Sequence, residues 1–190
     1  MSKTIIGLCT FLLFAVSAFG QTPPASSEIV AEANHLISRV VHQTSDQFVC
    51  EVIPSDNNRD VFEIDTCGGK IVLRGNNGVS LASAFNWYLK YYALCDYSQC
   101  GSRLKLPFKL PLPTRKIRTN ATVPYRYMYN YCTYGYTMPW WNWEQWEKEI
   151  DWMAMNGINL PFIVVGQEAV WVNTFIQLRI YGKRDQGMVG

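Results

Sequence analysis

Net charge and histidine are both nearly missing from this chain. Among its 190 residues are 2 histidines, and 17 basic residues face 15 acidic ones. So even a balance leaves no basic face for nucleic acid or an anionic membrane surface, and neither is expected as a partner. His35 and His42 have no third ligand near them in the sequence, so they read as solvated or cap-like side chains. No metal and no cofactor are expected. Long apolar runs are also scarce: after residue 20 no stretch is apolar for long enough to cross a bilayer. Hydrophobic residues make up 48% and charged ones 17%, proportions that exclude a disordered or fibrous chain.

What is present begins with a targeting pattern. Lys3 precedes the apolar run Ile5–Ala18, and Ala18-Phe19-Gly20 has the small-x-small form that signal peptidase cuts. Residues 1–20 are therefore expected to be a signal peptide that sends the chain into the secretory pathway. Without them, 16 basic residues face 15 acidic ones, and Cys50, Cys67, Cys95, Cys100 and Cys132 remain. An oxidising compartment and an odd count predict pairs plus one free thiol. The expected pairs are Cys50–Cys67 and Cys95–Cys100, with Cys132 free. Asn120-Ala121-Thr122 is an N-glycosylation acceptor, which places a glycan on Asn120.

Periodicity divides the rest. A helix capped by Ser26 or Ser27 is expected to run to about Gln43, with Ile29, Val30, Ala33, Leu36, Ile37, Val40 and Val41 on its apolar face. Strand-like runs follow at Phe48–Ile53, Val61–Thr66 and Ile71–Arg74. A second helix carries Val79, Ala82, Phe85, Leu89 and Tyr92, and a short extended segment spans Arg103–Leu106. This is a small α/β domain over residues 21–112. The prolines 107, 111 and 113 force an extended strap, and residues 113–123 read as a connector.

From Pro124 the pattern changes. Tyrosine alternates through Tyr125–Cys132 as in a strand. Asn142 and Gln145 form a capping box for the helix Trp143–Asn156, which puts Trp146, Ile150, Met153 and Ala154 on one stripe and ends at Gly157. Ile158–Val165 reads as a buried strand, and a helix from Gly166-Gln167-Glu168 runs to about Leu178. Strand, helix, strand, helix over residues 124–190 is the pattern of a parallel βα array.

The runs YRYMYNYCTYGYT, WWNWEQWEKEIDWMAMNGINLP and GQEAVW resemble the start of the catalytic barrel of the alpha-N-acetylglucosaminidases, the family 89 glycoside hydrolases. GNNGVSLASAFNWYLKYY is similar to that family's N-terminal domain, and together the matches cover most of residues 28–178. The resemblance implies a small N-terminal α/β domain followed by the first two βα units of an incomplete TIM (β/α)8 barrel. It implies removal of terminal alpha-linked N-acetylglucosamine from heparan sulfate-type glycans with retention, in a lysosomal or extracellular setting. The chain departs from the family at Val164-Val165, and after Leu178 the resemblance stops.

Retaining hydrolysis needs two carboxyl groups about 5–5.5 Å apart, and the family's two glutamates match no position here. No catalytic residue is therefore expected in this chain, and the chain alone is expected to be inactive. Glu144, Glu147, Glu149 and Asp151 fall on the first barrel helix and read as solvated or paired surface groups. Glu168 follows a strand at the pocket-forming end, where it also opposes the helix dipole. Asn130 and Cys132 match the family's pocket-lining pair and are the foremost substrate-binding candidates. Their bland alternative is that Asn130 satisfies loop backbone while Cys132 packs. Trp140 and Trp141 follow the first strand, and Trp141 joins the lesser candidates with Glu168. Two other readings stay open: a non-catalytic secreted sugar-binding module, and an inactive remnant of splicing.

Overall fold

The computed structural model describes residues 23–136, 138–163 and 167–178. The expected signal peptide, the last twelve residues and Val164-Val165 lie outside the described residues. Helix α1 (Ser26–Val40) turns Ala33, Leu36, Ile37 and Val40 inward, as its periodicity requires. Its cap is Ala25 rather than a serine: Ala25 has no capping side chain, and the Glu28 carboxylate reaches back to the Ala25 amide at 3.2 Å. Three strands follow: β1 (Phe48–Val52), β2 (Val61–Cys67) and β3 (Lys70–Gly75). Helix α2 (Gly78–Tyr91) is capped by Asn77, whose side chain accepts from the Ser80 amide.

The sheet order is β1-β3-β2-β4, with β1 parallel to β3 and the other pairs antiparallel. Strand β4 (Ile117–Asn120) comes from the stretch read as connector, and it zips onto β2. Arg103–Leu106, expected to be extended sheet, makes only an isolated bridge from Arg103 to Asp96. The helices α1 and α2 cover one sheet face, and Ile64, Ile71, Leu73, Phe85, Tyr88 and Leu89 are fully buried between them. The other face carries a row of alternating charge across all four strands: Glu51, Arg74, Glu63 and Arg118. Glu63 is nearly buried, and its carboxylate lies 2.7 Å from both Lys116 and Arg118. Burial alone would raise the Glu63 carboxyl, but those two cations outweigh it and hold it below the usual range.

The proline strap is stitched to this domain. Gln47 holds the Phe108 carbonyl at 2.7 Å and the Leu110 amide at 3.0 Å, Leu110 is buried, and the Tyr88 hydroxyl donates to the Pro111 carbonyl at 2.8 Å.

The second segment runs β5 (Tyr127–Met128), α3 (Trp143–Met155), β6 (Leu160–Pro161), α4 (Gln167–Gln177), and β5 pairs in parallel with β6. These are two βα units of a barrel. The Asn142–Gln145 capping box closes in both directions at 3.0 Å, and Gly157 ends α3 at φ +78°. The expected strand Tyr125–Cys132 is shorter than its alternation implied, because Tyr129 takes φ +74° and breaks the pleat. Alternation therefore does not carry Asn130 and Cys132 onto one strand face.

Helix α3 packs against α2, and its buried residues are Glu149, Asp151, Met153 and Met155, while Ile150 is 42% exposed and Trp146 half-buried. The inward stripe is thus rotated from the one read off hydrophobicity. Glu149 and Asp151, read as surface acids, are buried, each with a partner from the sheet domain.

Candidate functional site

The C-terminal ends of β5 and β6 lie side by side, and a tight turn is held across them. Past Tyr129 the chain enters a 3-10 turn at Thr133–Gly135. The Asn130 side-chain oxygen accepts from the Cys132 amide at 2.9 Å, the Thr133 amide at 3.2 Å and the Thr133 hydroxyl at 3.2 Å. Asparagine does this readily because its short carboxamide mimics a backbone turn. The nitrogen of the same carboxamide makes no hydrogen bond among the described residues, and Asn130 is exposed. Cys132 is exposed beside it.

Tyr134, which sequence reasoning passed over, fixes the turn in place. It is buried, its hydroxyl donates to the Phe162 carbonyl just past β6, and its ring stacks on Trp146 with centroids 6.0 Å apart. Burial pushes its phenol up, so it stays a donor at every physiological pH. Trp141 meets Trp146 edge-on at 5.1 Å and is half-buried, whereas Trp140 is 82% exposed. The structure therefore brings Asn130, Cys132 and the Trp141–Trp146 pair together around one turn. The Glu168 side chain lies outside the described residues; its backbone falls in the first turn of α4.

The other acids serve the junction with the sheet domain. The Gln99 side chain bridges Glu149, at 2.5 Å, and the Tyr129 hydroxyl, at 3.0 Å. Burial raises the Glu149 carboxyl, against the smaller lowering effect of Gln99. Asp151 takes a two-point contact from Arg39, and Glu147 lies 3.8 Å from the same guanidinium. Arg126, just before β5, reaches Asp60 of the sheet domain and the Gly157 carbonyl, the latter at 2.5 Å. Burial would raise Asp60, but Arg126, Asn76 and Asn77 hold it low.

The expected disulfides are absent: Cys50, Cys67, Cys95, Cys100 and Cys132 are all free thiols. Strand β3 lies between β1, which holds Cys50, and β2, which ends at Cys67, so the two cysteines are not on neighbouring strands. Their separation exceeds the roughly 7 Å between Cα atoms that a bridge tolerates. Cys95 is buried and Cys100 exposed at opposite ends of a loop. Asn120 is exposed on β4, its side-chain nitrogen 2.9 Å from an Asp56 oxygen.

Two family models match the chain. The alpha-N-acetylglucosaminidase N-terminal domain matches residues 31–112, and the alpha-N-acetylglucosaminidase TIM-barrel domain matches residues 126–185. Human alpha-N-acetylglucosaminidase is 40% identical over 109 residues, which are 57% of this chain and 15% of the human protein. A family 89 glycoside hydrolase from Clostridium perfringens, solved with 2-acetamido-1,2-dideoxynojirmycin, superposes with a TM-score of 0.75 at 41% identity, over 80% of this chain and 18% of its own. The same fit, TM-score 0.75 over 80% of this chain and 17% of the other, holds for a variant of that organism's enzyme with two glutamates replaced by glutamine, in complex with its substrate GlcNAc-alpha-1,4-galactose. The chain thus spans less than a fifth of the length of each of these relatives.

Proposed function

From a chain that belongs to the alpha-N-acetylglucosaminidase family of glycoside hydrolases, we infer a segment that forms one wall of a sugar pocket. The pocket is that of a retaining enzyme that removes terminal alpha-linked N-acetylglucosamine from glycans of the heparan sulfate type. The observation that supports this most is the Asn130 turn. Its oxygen is consumed by loop amides, and its exposed nitrogen remains as a donor for a sugar hydroxyl or acetamide oxygen. Cys132 lies two residues on, its amide bound to the same side chain. The proposed organisation is a secreted chain with the sheet domain over residues 21–112 completed by β4 from the stretch 113–123, the barrel segment from 124, and a glycan on Asn120.

The chemistry itself needs more than this wall. A retaining mechanism uses two carboxyl groups about 5–5.5 Å apart, and a closed barrel of this kind takes about 250 residues. Glu149 and Asp151 are committed to Gln99 and Arg39. By itself the chain is expected to leave a chromogenic alpha-N-acetylglucosaminide intact at mildly acidic pH. The reading is tested by a chimera: residues 126–163 of this chain replace the equivalent segment of the Clostridium perfringens enzyme. Retained turnover supports the pocket wall. A folded chimera that binds no 2-acetamido-1,2-dideoxynojirmycin, or turnover by the isolated chain, overturns it.

A further inference from the structure

The backbone leaves its ordinary conformations at few points. Among the described residues, those other than glycine with positive φ are Asn57, Asn58, Leu94 and Tyr129. Asparagine enters the left-handed region readily, whereas a bulky tyrosine stays there only where its surroundings hold it. Tyr129, at φ +74°, immediately precedes Asn130. Whatever holds it therefore also sets where the Asn130 carboxamide stands.

The far end of Tyr129 is held from the sheet domain. The Gln99 carboxamide nitrogen donates to the Tyr129 hydroxyl at 3.0 Å and to Glu149 Oε1 at 2.5 Å, which uses both of its N–H groups. Glu149 is 4% exposed, so this anchor is fixed by the packing of α3. The loop that carries Gln99 is braced as well. Asp96 and Arg103 exchange backbone hydrogen bonds of 3.0 and 2.8 Å across it, and the Arg103 guanidinium donates to the Leu94 carbonyl at 3.0 Å. The Lys148 ammonium of α3 lies 3.5 Å from the Gln99 carbonyl. On the barrel side, the Tyr129 ring meets the buried Tyr134 edge-on at 5.9 Å.

We propose that Gln99 is a positioning residue for the sugar pocket: through the Tyr129 hydroxyl it holds the left-handed backbone that turns Asn130 out of the line of β5. The sheet domain then shapes the pocket without touching the sugar. The link to a pocket rests on the reading of Asn130 above; the clamp on Tyr129 does not.

The test is amide hydrogen exchange, followed by NMR, on the isotope-labelled 190-residue chain. The Cys132 and Thr133 amides report the turn because both donate to the Asn130 oxygen. The amides of the fully buried Phe85 and Leu89 report global folding. Gln99→Ala and Tyr129→Phe each cut the clamp at one end. Each is expected to speed exchange at Cys132 and Thr133 about two- to tenfold while the core amides keep their rates. The two changes combined are expected to do no more than either alone. Glycine needs no holding at positive φ, so Tyr129→Gly added to Gln99→Ala is expected to restore slow exchange. Unchanged turn rates in either folded variant, or no recovery with glycine, overturn the clamp; where Gln99→Ala does not fold, Tyr129→Phe carries the test. In a chimera extended to residues 26–163, Gln99→Ala is expected to lower kcat/KM about two- to tenfold, and to cost nothing further once Asn130→Asp is present. Equal losses in both backgrounds overturn the link to Asn130. A chimera with no turnover before any of these changes strikes the pocket reading and leaves the exchange rates to decide the clamp.

Discussion

Arg39 and Asp151, 112 residues apart in the chain, meet in a two-point ion pair with N–O distances of 2.8 and 2.7 Å. The Asp151 side chain is 6% exposed and that of Arg39 is 37% exposed, so the carboxylate depends on the guanidinium far more than the reverse. Arg39→Met strands a buried charge and should lower stability by about 2 kcal/mol. Adding Asp151→Leu should recover most of that loss. Urea midpoints for the two single variants and the double variant check this, and additive losses would show that the residues do not interact.

Gly75 ends β3 where α2 begins. A methyl group there would sit 2.7 Å from the Leu81 amide nitrogen and 2.9 Å from the Ser80 Cβ. Backbone cannot give way as a flexible side chain can, so Gly75→Ala should cost about 1–3 kcal/mol. Gly78→Ala, with nothing near its added carbon, is the control in the same melting experiment.

Acid should loosen the sheet domain. Glu63 and Asp60 are held low in the folded chain. The unfolded chain therefore binds their protons more readily, and the stability they add is complete above about pH 4 and is lost as pH falls through their depressed values. Glu149 runs the other way: its raised carboxyl favours the folded chain at low pH, and that benefit is lost as pH rises through the raised value. Glu149→Gln keeps an oxygen for Gln99 and should stabilise the chain at neutral pH, with the gain vanishing near pH 4. A gain that does not depend on pH would refute the assignment.

Asn130 can be asked about its two ends separately. Asn130→Asp retains an oxygen for the Cys132 and Thr133 amides and deletes the donor. In the active chimera it should leave the melting temperature within about 1 °C while reducing kcat/KM about tenfold, a difference of about 1.4 kcal/mol. Asn130→Ala, which also releases the turn, should lose both. Equal losses from the two substitutions in stability and in activity would leave Asn130 a turn residue only.

Thiol reactivity should divide by burial. Cys67, Cys100 and Cys132 are exposed, whereas burial pushes the Cys50 thiol up to about 11 and raises Cys95. Three cysteines should alkylate rapidly in the native chain and two only on unfolding. Mass spectrometry that found Cys50 labelled as fast as Cys132 would contradict the packing.

What the sequence revealed was whatever its near neighbours decide. The Asn142–Gln145 box, the Gly157 terminus and the inward face of α1 each follow from residues within a turn or two, and the structure has all three. What stayed hidden depended on distant partners. Glu149 looks like a surface acid until Gln99 arrives from 50 residues away, and Ile117–Asn120 looks like linker until β2 supplies its pairing. The Cys50–Cys67 pairing assumed neighbouring strands, and the parallel insertion of β3 between them could not be seen in local spacing. At the site itself, motif and resemblance picked out Asn130 and Cys132, but the left-handed backbone of Tyr129 that turns them out of the strand carries no sequence mark such as glycine.

Helix α2 stands between the sheet on one side and α3 on the other, and Met155 of α3 belongs to the same buried cluster as Phe85 and Leu89. During synthesis α2 leaves the ribosome roughly 50 residues ahead of α3, some seconds earlier at about 5–20 residues per second. Strand β4, which completes the sheet, also emerges before α3. The sheet strands and α2 are therefore all synthesised before α3, the helix that packs against α2. A lesion in α2 is thus inherited by a segment whose own sequence is intact.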